Sequence, residues 1–362
     1  MKPCCLNTYN NMERDLSLDI AKGICIILMV VGHSGCPEWL NRFIYMFHMP
    51  CFFFISGILL SERYLADVRG GILKKLKGYY RPFVKWTLIF LFLHNGFAAL
   101  HIYENSYTWH EIAEKVVRAI TMTGGEQLLG GYWFLISLTW ASVGSILILS
   151  FLKRGNRLAP IYIVSGGVIS PIMVASMQHL LPIKLPAQFG PQTFLALAFF
   201  MSGYLYRKIG LYQNRHQTRL VLLLLFVPFL ASLFMKGFSM DSVGVLSWLY
   251  YILAMAGTIG FLRFAGILQG DKVAMIFNYI GNKTLYILTF HFLSFKFVSY
   301  IWIRYNGLPI SDLAQFPVLT GTYNWMWVVY TFVGVVLPLL IWELFHLPVR
   351  VKSGGNVNQN QP

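Results

Sequence analysis

Two histidines lie beside long apolar runs near the start of this sequence. His33 ends the segment KGICIILMVVGH, and His48 begins the segment HMPCFFFISG. Ionisable side chains are costly in an apolar environment, so their presence there usually indicates a function. A neutral imidazole can accept a proton from a hydroxyl group near pH 7, and a second imidazole can orient the first or donate a hydrogen bond to an oxyanion. The pair is therefore typical of acid–base catalysis.

Lys22 and His33 are placed to share one face of a helix. They are eleven residues apart, and eleven steps of about 100° return to nearly the same face after about 16 Å. Asp19 precedes Lys22 by three residues, a spacing that favours an ion pair. Two alternatives remain: Lys22 as an anchor that reaches the membrane surface, and His33 as a histidine bonded into the helix bundle. Gly32 leaves room for another group to approach His33.

The remaining histidines are weaker candidates. His291, in the segment TLYILTFHFL, falls in the middle of an apolar run and is a candidate for the same chemistry. For His94, His346 and Glu343 we favour a packing or interfacial role. Two histidines can also bind a metal ion, but no third ligand has a suitable spacing, so the sequence does not indicate a metal site.

A group of cations precedes the third apolar run, in the segment GGILKKLKGYYRPFVKW. Its members are Lys74, Lys75, Lys77 and Arg81. A basic cluster beside a membrane span binds lipid phosphates by default. The same cations also suit a phosphorylated soluble cosubstrate, and the spacing does not choose between the two.

The elements that must position these residues are transmembrane helices. The chain has 362 residues, of which 56% are hydrophobic and 12% charged, whereas soluble domains carry about 25% charged residues. Apolar windows of about 20 residues predict ten spans. These spans lie near 20–36, 44–61, 83–101, 132–151, 159–177, 190–206, 220–235, 243–262, 284–303 and 325–345. The predicted fold is an all-α, polytopic helical bundle of about ten membrane helices, formed by residues 1–350 and followed by a disordered polar tail at 351–362.

The distribution of charge predicts the orientation. The connector 62–82 carries six of the 29 lysines and arginines, which places it, and with it both termini, in the cytoplasm. The net charge of +15 is then explained by topology. Nucleic-acid binding is not expected, because the basic residues are scattered over loops between spans.

Two segments resemble a known family. DIAKGICIILMVVGH followed by FIYMFHMPCFFFISGILL is similar to the first two helices of the integral-membrane acyltransferase family 3, in particular its fucose 4-O-acetylase-like branch. In that family a basic residue, most often arginine, is followed after ten residues by a histidine, and here Lys22 and His33 match. Further similarity is found in YWFLISL (132–138), LAFFMSGYLY (197–206) and IGNKTLYILTFH (280–291).

The resemblance implies a membrane-bound enzyme of the bacterial inner membrane. Such an enzyme moves an acetyl or other short acyl group from cytoplasmic acyl-CoA to a sugar hydroxyl of a surface polysaccharide or lipid-linked glycan. Acetyl-CoA would be a cosubstrate, with no permanently bound cofactor. His33 would be the central acid–base group or, as the alternative, would carry the acyl group transiently, and the sequence does not choose between direct transfer and an acyl-histidine. His48 would orient His33 or stabilise the oxyanion, and the basic connector would contact the phosphates of CoA. The alternatives are a secondary transporter, with Lys22, His33 and His48 as a relay, and a non-catalytic scaffold.

Overall fold

The computed structural model describes residues 15–178, 180, 185–186, 189–211, 218–240, 242, 244–270 and 272–353. Every regular element among these residues is helical. A π-helical turn lies at Val164–Ile169, and 3₁₀ segments lie at Gln127–Tyr132, Gly244–Leu246 and Ile310–Ala314. The α-helices are α1 (Leu16–His33), α2 (Glu38–Ile58), α3 (Arg63–Ala66), α4 (Val68–Ala99), α5 (Trp109–Ile120), α6 (Trp133–Arg154), α7 (Pro160–Ile163), α8 (Ser170–Met177), α9 (Pro191–Lys208), α10 (Thr218–Phe234), α11 (Ser247–Ile267), α12 (Lys272–Gly281), α13 (Thr284–Asn306) and α14 (Met326–Ser353).

Six helical segments of the described chain are long and apolar enough to cross a membrane. They are Leu16–His33, Gln127–Arg154, Pro160–Met177, Gly244–Ile267, Thr284–Asn306 and Met326–His346. The other four predicted spans coincide with α2, α4, α9 and α10, which are more polar or, in α10, shorter. The described part of the chain is thus all-helical and has the long apolar helices of a multi-pass membrane protein, while the count of ten and the orientation stay predictions.

Helix boundaries differ from the apolar windows where polar turns extend a helix. α2 begins at Glu38, six residues before the predicted span, and its first turns carry an ion pair between Glu38 and Arg42. His48 therefore lies well inside α2 and does not start it. Similarly, the cationic connector is helical rather than a loop, because α4 runs for 32 residues, or about 48 Å.

Helix α1 and helix α2 form a hairpin that positions the first two histidines. The side chain of Asp15 caps α1 by accepting from Ser17 N at 2.9 Å. After His33 the chain turns at Gly35, whose φ of +80° lies in the region that glycine adopts without steric cost. Asn41 then donates to the backbone oxygen of Gly32 at 2.7 Å, which ties the start of α2 to the end of α1.

Glycines set the closest helix contacts. A Cβ on Gly57 would overlap the carbonyl of Phe200, and a Cβ on Gly203 would overlap that of Phe54. The absence of side chains there lets α2 and α9 pack backbone to backbone, as small residues do in membrane bundles.

Helix α13 is held by hydrogen bonds along its length. Thr289 bonds to Tyr132 at 2.7 Å, and Ser299 bonds to Tyr330 of α14 at 2.9 Å. Lys296 is only 2% exposed, and its ammonium donates to the carbonyls of residues 313–315 at 2.6–3.2 Å. α13 is therefore fixed relative to the loop that follows it. At the end of the chain α14 runs to Ser353, and residues 354–362 of the predicted tail lie outside the described residues.

Candidate active site

Three histidines and a tyrosine converge at one end of the bundle. The rings of His33 and His291 stack with centroids 5.7 Å apart. Tyr45 lies between His33 and His48, with ring centroids 6.2 Å and 5.1 Å away respectively. The Tyr45 hydroxyl is 3.4 Å from His33 Nδ1. Helices α1, α2 and α13 thus bring the three candidate histidines of the sequence into one cluster.

Backbone carbonyls orient two of the three imidazoles. His48 Nδ1 lies 2.7 Å from the oxygen of Ile44, and His291 Nδ1 lies 3.0 Å from the oxygen of Ile287. A carbonyl oxygen only accepts, so Nδ1 carries the proton in both rings, and Nε2 of the neutral ring is an acceptor. His291 Nε2 is buried and has no hydrogen-bond partner among the described residues. Both rings therefore present a basic nitrogen.

The cluster borders a cavity of about 130 Å³. His33, Tyr45 and His48 line it together with Trp133 of α6 and Tyr250 of α11. The Tyr250 hydroxyl donates to the backbone oxygen of Tyr45 at 3.1 Å, so the wall is tied to the helix that carries His48. The cavity can hold a small group in contact with the imidazoles and sheltered by aromatic rings.

A second cavity, of about 270 Å³, lies at the other end of α1. Lys22, Tyr79 and Thr284 are among the residues that line it. Lys22 Nζ forms the predicted ion pair with Asp19 Oδ1 at 2.6 Å. This contact keeps the buried carboxylate of Asp19 neutralised, while the ammonium still reaches the cavity.

The two cavities share part of their walls. Met29, Met49 and Leu288 line both of them. Methionine is unbranched and flexible, so it can fill a gap and also move aside. The Lys22 cavity and the histidine cavity are therefore neighbours along α1, on the face that the eleven-residue spacing predicts.

The cations of the basic segment lie outside both cavities. Lys74 and Lys75 stand over the ring of Tyr64 at 5.7 Å and 5.9 Å, and Lys75 Nζ is 3.4 Å from the hydroxyl of Tyr79. Lys77 and Arg81 are exposed on α4. None of the four, all of them in the described part of the chain, lines the Lys22 cavity. Lys75 is linked to it through Tyr79.

Two residues of the site were missed from the sequence. Tyr45 is three residues before His48 and so shares its helix face, and it packs on Gly32, where a Cβ would come within 2.8 Å of its ring. Of these two features, only the three-residue spacing to His48 can be read from the sequence. Trp133 lies in the quoted segment YWFLISL, but nothing in that segment places it beside α1 and α2.

The residues that the sequence assigned to packing lie outside the cluster. His94 bonds through Nδ1 to Glu126 at 2.8 Å and through Nε2 to the oxygen of Asn105 at 2.9 Å. Tyr103 stacks on the His94 ring. Burial, and then the charge of Glu126, raise the pKa of Tyr103 well above its usual range. Its hydroxyl therefore stays protonated at neutral pH.

At the far end of the bundle, the Glu343 carboxylate accepts from Tyr279. His346 Nδ1 bonds to the oxygen of Trp342 at 2.8 Å.

Comparison with known proteins identifies similar sequences over most of the chain. The family model described as "Acyltransferase domain" matches residues 15–343. The chain is 27% identical over 279 residues to "Nodulation protein NolL" of Mesorhizobium japonicum, a match that covers 73% of this chain and 67% of that protein. It is also 27% identical over 173 residues to "Nodulation protein NolL" of Sinorhizobium fredii, where 44% of this chain and 43% of that protein are covered. No solved structure matches with significance.

Proposed function

This chain belongs to the acyltransferase family whose domain model it matches, and we propose that it moves an acetyl or other short acyl group from acyl-CoA to a sugar hydroxyl. The acceptor in this proposal is a sugar of a surface polysaccharide or lipid-linked glycan, and the protein acts in a bacterial inner membrane. The observation that carries the proposal is the pair of adjoining cavities, one reaching Lys22 and the other reaching the histidines.

The adjoining cavities suit two substrates that arrive from opposite ends. The thioester arm of acyl-CoA enters at the Lys22 end and passes Met29, Met49 and Leu288, which line both cavities. The sugar enters at the His33 end. Their reacting atoms meet beside the imidazoles. Holding both substrates there makes a bimolecular reaction effectively unimolecular.

The reaction balances with one histidine as the proton carrier. The sugar oxygen attacks the carbonyl carbon of the thioester while His33 takes the hydroxyl proton. A C–O ester bond forms, the C–S bond breaks, and the leaving thiolate of CoA receives the proton from the imidazolium. The products are an O-acyl sugar and CoA, and His33 is again neutral.

The other two histidines assist through their basic nitrogens. His48 donates from Nδ1 to Ile44, so Nε2 accepts, and this favours orientation of the acceptor hydroxyl over stabilisation of an oxyanion. His291 stacks on His33 and presents a buried, unpartnered Nε2. Because a charge on one ring disfavours a charge on the next, at most one of the three rings is an imidazolium at a time.

The Lys22 end of the bundle carries the positive charges that would bind the anionic acyl-CoA. Lys22 lies in the cavity and Asp19 fixes its position. Lys74, Lys75, Lys77 and Arg81 follow on α4, where the exposed members can contact the phosphates of the nucleotide outside the membrane. In the orientation predicted from the sequence, this end faces the cytoplasm, which contains acyl-CoA.

The proposal is tested with the purified protein in lipid nanodiscs. Acetyl-CoA carrying a ¹³C-labelled acetyl group is incubated with a panel of methyl pyranosides, and the products are measured by mass spectrometry. We expect labelled sugar ester with the wild type and with His346→Ala, a histidine outside the cluster, and none with His33→Ala.

Two results would contradict the proposal. One is full activity of His33→Ala. The other is the absence of label on every pyranoside while proteoliposomes accumulate the free sugar, which would identify a transporter.

A further inference from the structure

A third cavity, of about 250 Å³, lies beside the histidine cavity. Its lining includes Glu126, Ser137, Gln192 and Thr193, together with the aromatic rings of Phe83, Tyr132 and Trp133. None of these polar residues, all of them described, lines the Lys22 cavity or the histidine cavity. No step of the proposed acyl transfer uses this cavity.

Neighbouring residues of one segment line the two cavities. Gly130 lines the third cavity and Gly131 lines the histidine cavity, while Trp133 lines both. The 3₁₀ segment Gln127–Tyr132, which contains both glycines, is held to α13 by the bond between Tyr132 and Thr289. A molecule that packs against Trp133 in the third cavity is therefore next to the histidine cavity.

The polar groups of the third cavity are buried and held in place. Glu126 is 4% exposed, and its Oε2 takes the bond from His94. Ser137 and Thr193 are 2% and 6% exposed and bond to each other at 3.0 Å. Because their own hydrogen bonds hold these groups in place, they present donors and acceptors to a ligand in a fixed arrangement.

The aromatic members complement the polar ones. A sugar ring has an apolar C–H face and an edge of hydroxyl groups, so it needs an aromatic surface beside hydrogen-bonding groups. Trp133 is half-buried between the two cavities and offers such a surface. The carboxylate of Glu126 can accept from a hydroxyl group, and the amide of Gln192 can both donate and accept.

We propose that the third cavity binds the sugar ring of the acceptor and presents one of its hydroxyls to His33 past Trp133, which lines both cavities. This inference rests on the proposed function. The ring packs against Trp133 and hydrogen-bonds to Glu126 and Gln192, so these contacts decide which hydroxyl reaches the thioester. The third cavity, rather than the histidine cavity, then determines the sugar specificity.

A glycine provides a sharp test of the cavity. Gly125 lines it, and a Cβ placed there meets no heavy atom of the described structure within 4 Å. The first side-chain atom of Gly125→Leu therefore enters open space, and the backbone does not have to move to accommodate it. Gly96 of α4 is equally open but belongs to none of the three cavities, so Gly96→Leu is the matched control.

The assay uses labelled acetyl-CoA and the methyl pyranoside that the wild type acetylates fastest. We expect Gly125→Leu to raise the KM for the pyranoside at least about tenfold, with the KM for acetyl-CoA at its wild-type value. Gln192→Ala should raise the same KM roughly fivefold, as the loss of one neutral hydrogen bond does. Gly96→Leu should match the wild type in both constants.

The outcomes separate this inference from the proposed function. If the wild type acetylates a pyranoside but both cavity variants keep the wild-type KM for it, the third cavity is not the acceptor site and the acyltransferase proposal stands. If the wild type acetylates no pyranoside, the proposed sugar acceptor is wrong and this inference fails with it. A KM for acetyl-CoA that rises in parallel would also overturn the assignment, since the cavity would then serve both substrates.

Discussion

Replacing Lys22 by methionine tests whether the charge at the end of α1 serves the donor or only its neighbour. Lys22 and Asp19 are 23% and 8% exposed and lie 2.6 Å apart. Exposed pairs contribute about 0–1 kcal/mol, and breaking a buried pair costs about 3–5 kcal/mol. For this partly buried pair we expect Lys22→Met to lower the free energy of unfolding by about 2 kcal/mol.

The same substitution removes a charged contact to acyl-CoA. A hydrogen bond to a charged group contributes about 1.5–3 kcal/mol, so the KM for acetyl-CoA should rise roughly 10–150-fold. Both quantities are accessible with purified protein, from thermal unfolding and from initial rates at varied acetyl-CoA. Lys22→Arg should keep most of the activity, because it retains the cation.

A double substitution separates the two effects. Asp19→Asn with Lys22→Met removes both charges, so stability should return towards that of the wild type while the KM for acetyl-CoA stays high. If the double variant also regains the wild-type KM, Lys22 acts only by neutralising Asp19, and the reasoning about the donor cavity is refuted.

Three further predictions follow from the packing. Gly78 lines the Lys22 cavity, and a Cβ there meets no described heavy atom within 4 Å. Gly78→Leu should therefore raise the KM for acetyl-CoA and leave the KM for the sugar unchanged. The control variant Gly96→Leu should change neither constant. Gly203→Ala should lower the free energy of unfolding by roughly 2 kcal/mol, because its Cβ overlaps a backbone carbonyl of α2. Gly166→Ala is the control, since a Cβ at Gly166 meets no atom of the described structure within 4 Å. Equal stability of the two variants would contradict the prediction. Lys296→Met leaves three backbone carbonyls without the ammonium that binds them. It should lower the free energy of unfolding, measured by thermal unfolding, by at least about 2 kcal/mol. A variant as stable as the wild type would show that these bonds contribute little.

The parts of the site that lie on one helix or one hairpin could be predicted from the sequence. The alignment of Lys22 with His33 follows from helical periodicity alone. The pair with Asp19 likewise follows from a three-residue spacing. His48 was identified as a candidate because an imidazole in an apolar run is unusual, although its helix starts earlier than the apolar run does.

Contacts between distant segments were not predictable in this way. The stacking of His291 on His33 joins α13 to α1, and no periodicity within either helix indicates which of its neighbours it meets. The third cavity depends on a loop, a 3₁₀ segment and the start of α9. The helical course of the basic segment was missed because a run of cations lacks the apolar pattern on which the span prediction relied.

In the proposed function, donor and acceptor enter at opposite ends and meet at His33. Proteoliposomes of uniform orientation test this claim. Labelled acetyl-CoA, which does not cross the bilayer, is sealed on the Lys22 side, and a methyl pyranoside is added on the other side. We expect acetylated sugar to appear in the compartment that contains no acetyl-CoA, and His33→Ala to abolish it. Product that forms only when both substrates share one compartment would contradict the claim.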